Sequence, residues 1–242
     1  MDLNADVGEG MDDGPLLPFL TSASIACGLH AGSPLIMDRV VSLALSRRVQ
    51  VGAHPGYADR ENFGRAAVDL SPDEVRALVL YQVAALDGFV RAHGGRLAHV
   101  KAHGALYNRA ARDLTVATAI AEAVRAYGGD LIVVGLAGSV QLGAARLAGL
   151  RAAGEAFADR RYLPDATLMP RSEPGAVLRD PKEAAEQAAL IAREGYAVAS
   201  DGSRVRIDAD TLCLHGDTAG ATGIARAVRD RLETDGVLIA PL

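Results

Sequence analysis

The ten residues HVKAHGALYN, from His99 to Asn108, bring two imidazoles, an ammonium, a phenol and a carboxamide to the end of a short apolar run. Side chains alternate along a strand, so His99, Lys101 and His103 are expected on one face. That face offers proton transfer near neutral pH and a fixed positive charge that can polarise an oxyanion or bind an anion. A packed core has no use for such a set, because a buried charge without a partner is costly. The bland alternative is a solvated lysine beside one structural histidine. The rest of the chain argues against it, because the pattern recurs. Asp6 precedes VGEG, His30 follows CGL, His54 precedes PGY, His103 precedes GAL and His215 precedes GD. Each closes an apolar run with a carboxylate or an imidazole.

Asn4 shares the face of Asp6, and Gly8 and Gly10 nearby permit close backbone approach. Asp6 suits a general base, a metal ligand or the orienting partner of a histidine. An ion pair from Lys101 to Asp6 or Glu9 is compatible with a role for the lysine at an anion. FADRRY supplies Asp159 and Arg160, and MPR supplies Arg171. Two arginines can grip a carboxylate or phosphate in a fork. His93, in RAHGG, suits the C-terminal dipole of a helix and nothing more.

These residues need elements to hold them. Apolar runs at 3–7, 24–28, 49–54, 97–103, 130–135, 154–158 and 211–215 read as strands. Between them lie helices with start signals. SPDE at 71–74 is a capping box with proline at the first helical position, and DPKE at 180–183 repeats the device before a helix that stops at Gly195. Ser33-Pro34 and Asp113 open two more, and Ile224, Val228 and Leu232 stripe the last. Strands alternating with helices imply a parallel sheet. An open sheet concentrates its site at one switch point, whereas a barrel lets every strand end contribute. Five contributing ends favour a seven-stranded parallel (β/α) barrel, one domain over 1–242. SDGSRVRIDAD reads as a hairpin inserted at about 197–209. YLPDATLMPRSEPG, with three prolines, reads as a long loop over the mouth.

Composition narrows the function. The net charge is −5 with no Lys/Arg cluster, which argues against a nucleic-acid surface. Cys27 and Cys213 lie in apolar runs and read as buried thiols of a reducing compartment. Acids replace the basic start of a signal peptide, and no apolar run is long enough to span a bilayer, so a cytoplasmic chain with no membrane contact is expected. There is no GxxxxGK[ST], GxSxG or HExxH, and no GxGxxG after the first strand. These absences remove the ATP P-loop, the nucleophile elbow and the zincin helix.

The blocks DLNADVGEG, SIACGLHAG, VGAHPGY, YQVAAL, HVKAHGALYN, LAGS, EAFADRRY, PGAV and TLCLHGD, in this order from Asp2 to Asp217, make the chain resemble the LamB/YcsF family. It departs from the usual family pattern at Ser24, Ala66 and Ala102. The resemblance implies a distorted (β/α) barrel of the glycoside hydrolase/deacetylase type. It implies ATP-dependent opening of 5-oxo-L-proline to L-glutamate, in concert with 5-oxoprolinase subunits B and C. A lactam is a resonance-stabilised amide, and phosphorylating its oxygen makes the ring carbon electrophilic. Asp6, His54, Lys101, His103 and His215 are then the catalytic candidates. Asn4, Glu9, His30, His99, Asn108, Arg160 and Arg171 are the candidates for binding substrate. ATP is the implied cofactor, on this chain or on its partners. Two rivals stand beside this reading. One is a metal-dependent amide hydrolase or deacetylase, with Asp and two His holding a divalent ion. The other is a non-catalytic subunit that only binds the substrate.

Overall fold

A computed structural model describes residues 1–216 and 220–242. Asp217, which ends the last motif block, lies outside the described residues. Seven parallel strands close into one barrel: β1 (Asp2–Val7), β2 (Ser22–Ala26), β3 (Gln50–His54), β4 (Leu97–Lys101), β5 (Ile132–Leu136), β6 (Arg151–Phe157) and β9 (Thr211–His215). The expected hairpin is present as β7 (Tyr196–Val198) paired antiparallel with β8 (Arg204–Arg206). Among the described residues no helix is long and apolar enough to cross a membrane.

The helices follow their sequence signals. Ser33 caps α1 (Pro34–Ser46) through the Ile36 amide. Ser71 and Glu74 complete the capping box of α2 (Pro72–Ala92). Asp113 caps α4 (Leu114–Tyr127), and Asp180 caps α6 (Pro181–Glu194), which ends on Gly195 in the left-handed region. The inward stripe of α7 (Ala221–Thr234) is Ile224, Val228 and Leu232. Two helices carry no such advance signal: α3 (Gly104–Ala110) and α5 (Val140–Leu147). Strand β4 stops at Lys101, two residues earlier than expected, and His103 becomes the residue that leads into α3. His93 does more than face a helix dipole, since its Nε2 lies 2.8 Å from Asp38 Oδ1 on α1.

The apolar core lies between strands and helices, where Leu3, Ile25, Val51, Val100 and Leu212 meet Val79, Val83 and Leu86. The barrel interior is polar instead. Asp2 accepts from the hydroxyls of Thr21, Ser22 and Thr211. Above this layer Asn4 donates to Thr211 Oγ1 at 2.7 Å and to Glu155 Oε1 at 3.0 Å. Ser24 Oγ lies 3.1 Å from His99 Nε2. Gly52 faces this ring so closely that a Cβ would collide with it, so β3 needs glycine there. Hydrogen bonds among these buried groups offset part of their desolvation.

The turn after β1 is fastened by Asp13, whose Oδ2 accepts from the Gly8 amide at 2.8 Å. Burial pushes the Asp13 carboxyl up from 3.8 to about 6. The folded state therefore holds this proton more tightly than the unfolded chain. Its stabilising contribution is complete below pH 4 and is lost as pH rises through 6. Asp13→Asn keeps an acceptor for Gly8 and removes the titration. Between about pH 4 and about pH 7, wild type should lose roughly 1–3 kcal/mol more unfolding free energy than the variant. Denaturant melts at both pH values check this, and parallel pH profiles would count against it.

Candidate active site

Because all seven strands are parallel, their C-terminal ends share one rim. Asp6, His54, Lys101 and His215 stand at the ends of β1, β3, β4 and β9, with His30 and His103 in the segments that follow β2 and β4. The rim opens into a cleft of about 910 Å³ lined by Asp6, Glu9, His54, Lys101, His103, Asn108, Glu155, Arg160, Arg171 and His215, among others. The expected loop over the mouth is there, with Leu163 and residues 165–171 forming one wall.

Lys101 is the hub. It is 2% exposed, and its ammonium lies 2.6 Å from Asp6 Oδ1, 2.8 Å from Glu155 Oε1, 2.8 Å from Asn4 Oδ1 and 3.4 Å from Cys213 Sγ. Burial works against its charge, but Asp6, Cys213 and Glu155 outweigh it and hold the lysine well above its ordinary range. Burial likewise works to raise the Asp6 carboxyl. His54 and then Lys101 overcome it and keep Asp6 well below the ordinary carboxylate range. An ammonium has three N–H donors. Four acceptors surround this one, so no donor remains for a substrate oxygen. Lys101 therefore acts by fixing Asp6 and Glu155 and by its field. The pair with Asp6 is as the sequence suggests, while Glu155 stands where Glu9 was an alternative.

A second cluster adjoins Asp6. His54 Nε2 lies 3.2 Å from Asp6 Oδ2 and 2.9 Å from His103 Nδ1. Glu9 Oε1 lies 3.3 Å from both His103 Nδ1 and His30 Nε2. His30 stacks on His103 with ring centroids 3.9 Å apart and planes 5° from parallel. Gly64, with φ +65°, lets the chain pass against these rings, where a Cβ would stand 2.8 Å from His30. Burial, with His54 next, pushes His103 down to about 2 and His30 to about 3. For His54 burial is outweighed by Asp6, so its pKa is raised.

On the far side of Lys101, His215 directs Nδ1 at Asp159 Oδ1, 2.8 Å away, and its ring stacks on Phe157. Burial works to raise the Asp159 carboxyl, and His215 outweighs it, so Asp159 stays ionised below its ordinary range. Arg160 is 7% exposed and donates from Nη2 to Met169 O at 2.6 Å, bracing the loop wall while it lines the cleft. Burial and then neighbouring Arg171 lower it to about 10.

The expected site residues therefore divide by depth. Asp6, Glu9, His54, Lys101, His103, Asn108, Arg160, Arg171 and His215 meet in the cleft. Asn4 and His99 lie below its floor, where they hold Lys101 and Ser24 and do not line the space. Burial and Lys101 push His99 down to about 3, so it is a neutral spacer. His30 sits behind His103 and Glu9. The residue that sequence reasoning passes over is Glu155, fully buried on β6. Its signal is a lone acid inside the apolar run GEAFA. Asp159, notable in the sequence only as a neighbour of Arg160, proves to be the partner of His215.

The whole chain, residues 1–242, matches the model of the LamB/YcsF family. It is 52% identical to the 5-oxoprolinase A subunit of Methylococcus capsulatus, covering 100% of this chain and 95% of that one. It is 46% identical to the protein of the same name from Pyrococcus furiosus, covering 100% and 97%. Among solved structures, the lactam utilization protein from Thermus thermophilus superimposes with a TM-score of 0.94 at 47% identity, covering 100% of this chain and 99% of that one. A T48 deacetylase shares the fold, with a TM-score of 0.51 at 12% identity, covering 99% of this chain and 86% of that one. A family match over every residue and relatives near half identity, on a barrel with the expected strand count, agree: the chain belongs to the LamB/YcsF family.

Proposed function

We propose that this chain is the A component of a 5-oxoprolinase, that it takes 5-oxo-L-proline into the rim cleft, and that it opens the lactam in ATP-dependent cooperation with subunits B and C. The observation that carries the reading is the cleft itself. It joins two arginines, Arg160 and Arg171, to a histidine–aspartate dyad across a floor of paired charge, in a chain whose relatives bear that name.

The chemistry needs an activated carbonyl, a water with its proton removed, and a proton for the ring nitrogen. Phosphorylation of the lactam oxygen by ATP supplies the activation. Arg160 and Arg171 hold the substrate carboxylate. With Nδ1–H given to Asp159, His215 keeps its lone pair on Nε2 and takes the proton of the attacking water. The imidazolium so formed is stabilised by Asp159 and returns the proton to the ring nitrogen as the C–N bond breaks, the base-then-acid sequence of acyl transfer. Cleavage of the C–N bond leaves the phosphoryl group on the new side-chain carboxyl as an acyl phosphate, and a second water hydrolyses that bond to release glutamate and phosphate. Nucleotide binding is assigned chiefly to the partners, since this chain has no P-loop sequence.

Titration calorimetry with 5-oxo-L-proline tests the substrate assignment. Wild type should bind it, and Arg171→Ala, on the loop wall, should weaken binding about 10- to 100-fold, the worth of one hydrogen bond to a charged group. In the assembled enzyme the same change should raise KM far more than it lowers kcat. Wild-type protein that takes up no lactam at millimolar concentration would contradict the assignment.

A further inference from the structure

The rings of His54 and His103 are each tied down by one nitrogen. His54 Nδ1 lies 2.8 Å from Lys101 O, and His103 Nε2 lies 2.8 Å from Phe63 O. A carbonyl only accepts, so both of these nitrogens carry hydrogen. In the neutral rings the other two nitrogens, His54 Nε2 and His103 Nδ1, are bare lone pairs, and they face each other at 2.9 Å. Asp6 Oδ2 stands 3.2 Å from the first, and Glu9 Oε1 stands 3.3 Å from the second and 3.9 Å from the first. Three electron-rich atoms thus lie within 3.9 Å of His54 Nε2, itself bearing a lone pair, with a cation required among them. We propose that this is a binding site for one divalent transition-metal ion, with Asp6, Glu9, His54 and His103 as ligands.

Three further observations support the site. Ligands about 2.1 Å from a metal and at right angles to each other are about 3.0 Å apart, close to the shorter separations here. Histidine ligands characteristically donate their outer N–H to a carbonyl or carboxylate, as both of these do. Charge also favours a cation, since Asp6 and Glu155 share the ammonium of Lys101 while the Glu9 carboxylate lies against the imidazole of His103. His30 is not a ligand. Its plane is parallel to that of His103 and 3.9 Å away, so the two lone pairs cannot meet at one point. It supports Glu9 instead. Two imidazoles with two carboxylates suit Mn²⁺, Fe²⁺, Co²⁺ or Zn²⁺ better than Mg²⁺ or Ca²⁺. The ligands line the cleft, so a bound ion would deepen the lactam reading by offering a Lewis acid to the ring carbonyl.

The test uses no lactam, so it stands or falls apart from the substrate assignment. Chelator-treated protein is titrated with Co²⁺ and with Mn²⁺, followed by calorimetry, visible absorption of the cobalt form and melting temperature. One ion per chain should bind, with cobalt absorption bands and a higher melting temperature. His103→Ala should weaken binding more than about 100-fold, beyond the usual cost of losing a supporting partner. Glu9→Gln, a near-isosteric change in a loop, should weaken it at least about tenfold and serves if His103→Ala fails to fold. His93→Ala, on the surface beside Asp38, should bind as wild type does. Wild type that binds neither ion would show that a proton alone occupies the cluster and would overturn the proposal. Equal binding by wild type and Glu9→Gln would do the same.

Discussion

Lys101→Met is expected to lower turnover of the assembled enzyme about 100- to 1000-fold, the scale for losing one positioned electrostatic group, with little change in KM. The lysine touches Asp6, Glu155, Asn4 and Cys213, and it is their common counter-charge. Without it, Asp6 keeps His54 but loses the second partner that holds it ionised and in place. Stability should fall too, by about 3–5 kcal/mol, because two buried carboxylates are left facing each other. A loss of activity alone would thus be ambiguous, and a second variant separates the effects. Adding Glu155→Gln to Lys101→Met removes one of the stranded charges. The double variant should regain part of the lost stability while turnover stays low. If turnover returns together with the melting temperature, Lys101 serves only the fold.

His215→Ala should cost about 100- to 10,000-fold in kcat, the range for a general acid–base group. Its ring fills a position between Phe157 and the cleft, so the fold should persist with modest loss. Asp159→Asn tests the orienting partner. An amide can present N–H where the carboxylate accepted, which turns the His215 tautomer and strands its lone pair. The loss should fall on kcat, not KM, and Asp159→Glu should recover part of it. A variant that melts earlier but keeps its kcat would reduce Asp159 to a packing role.

Much of this architecture is readable because the signals are local. Capping boxes lie within four residues, and an apolar run ending in a histidine is visible without knowing what it pairs with. The parallel alternation then places five such ends on one rim, as the barrel has them. What escapes depends on distance along the chain. Glu155 meets Lys101 across 54 residues and Asn4 across 151. An acid in an apolar run signals a buried partner, but nothing local says which one. The depth of each residue is equally hidden. Asn4 and His99 obey the same alternation as Asp6 and Lys101, yet sit one layer lower, where they build the floor. The end of β4 is misplaced because HVKAH alternates through His103, whereas Gly104 at φ +55° turns the chain into α3. Helices α3 and α5 are short, and neither N-cap side chain makes a capping hydrogen bond.

The most direct test of the central claim is release of L-glutamate from 5-oxo-L-proline with ATP, measured for this chain alone, for subunits B and C alone, and for the three together. Robust glutamate release is expected only from the complete set, and it should be lost when the chain carries His215→Ala. Glutamate formed at the same rate by B and C without this chain, or by this chain alone, would contradict the account.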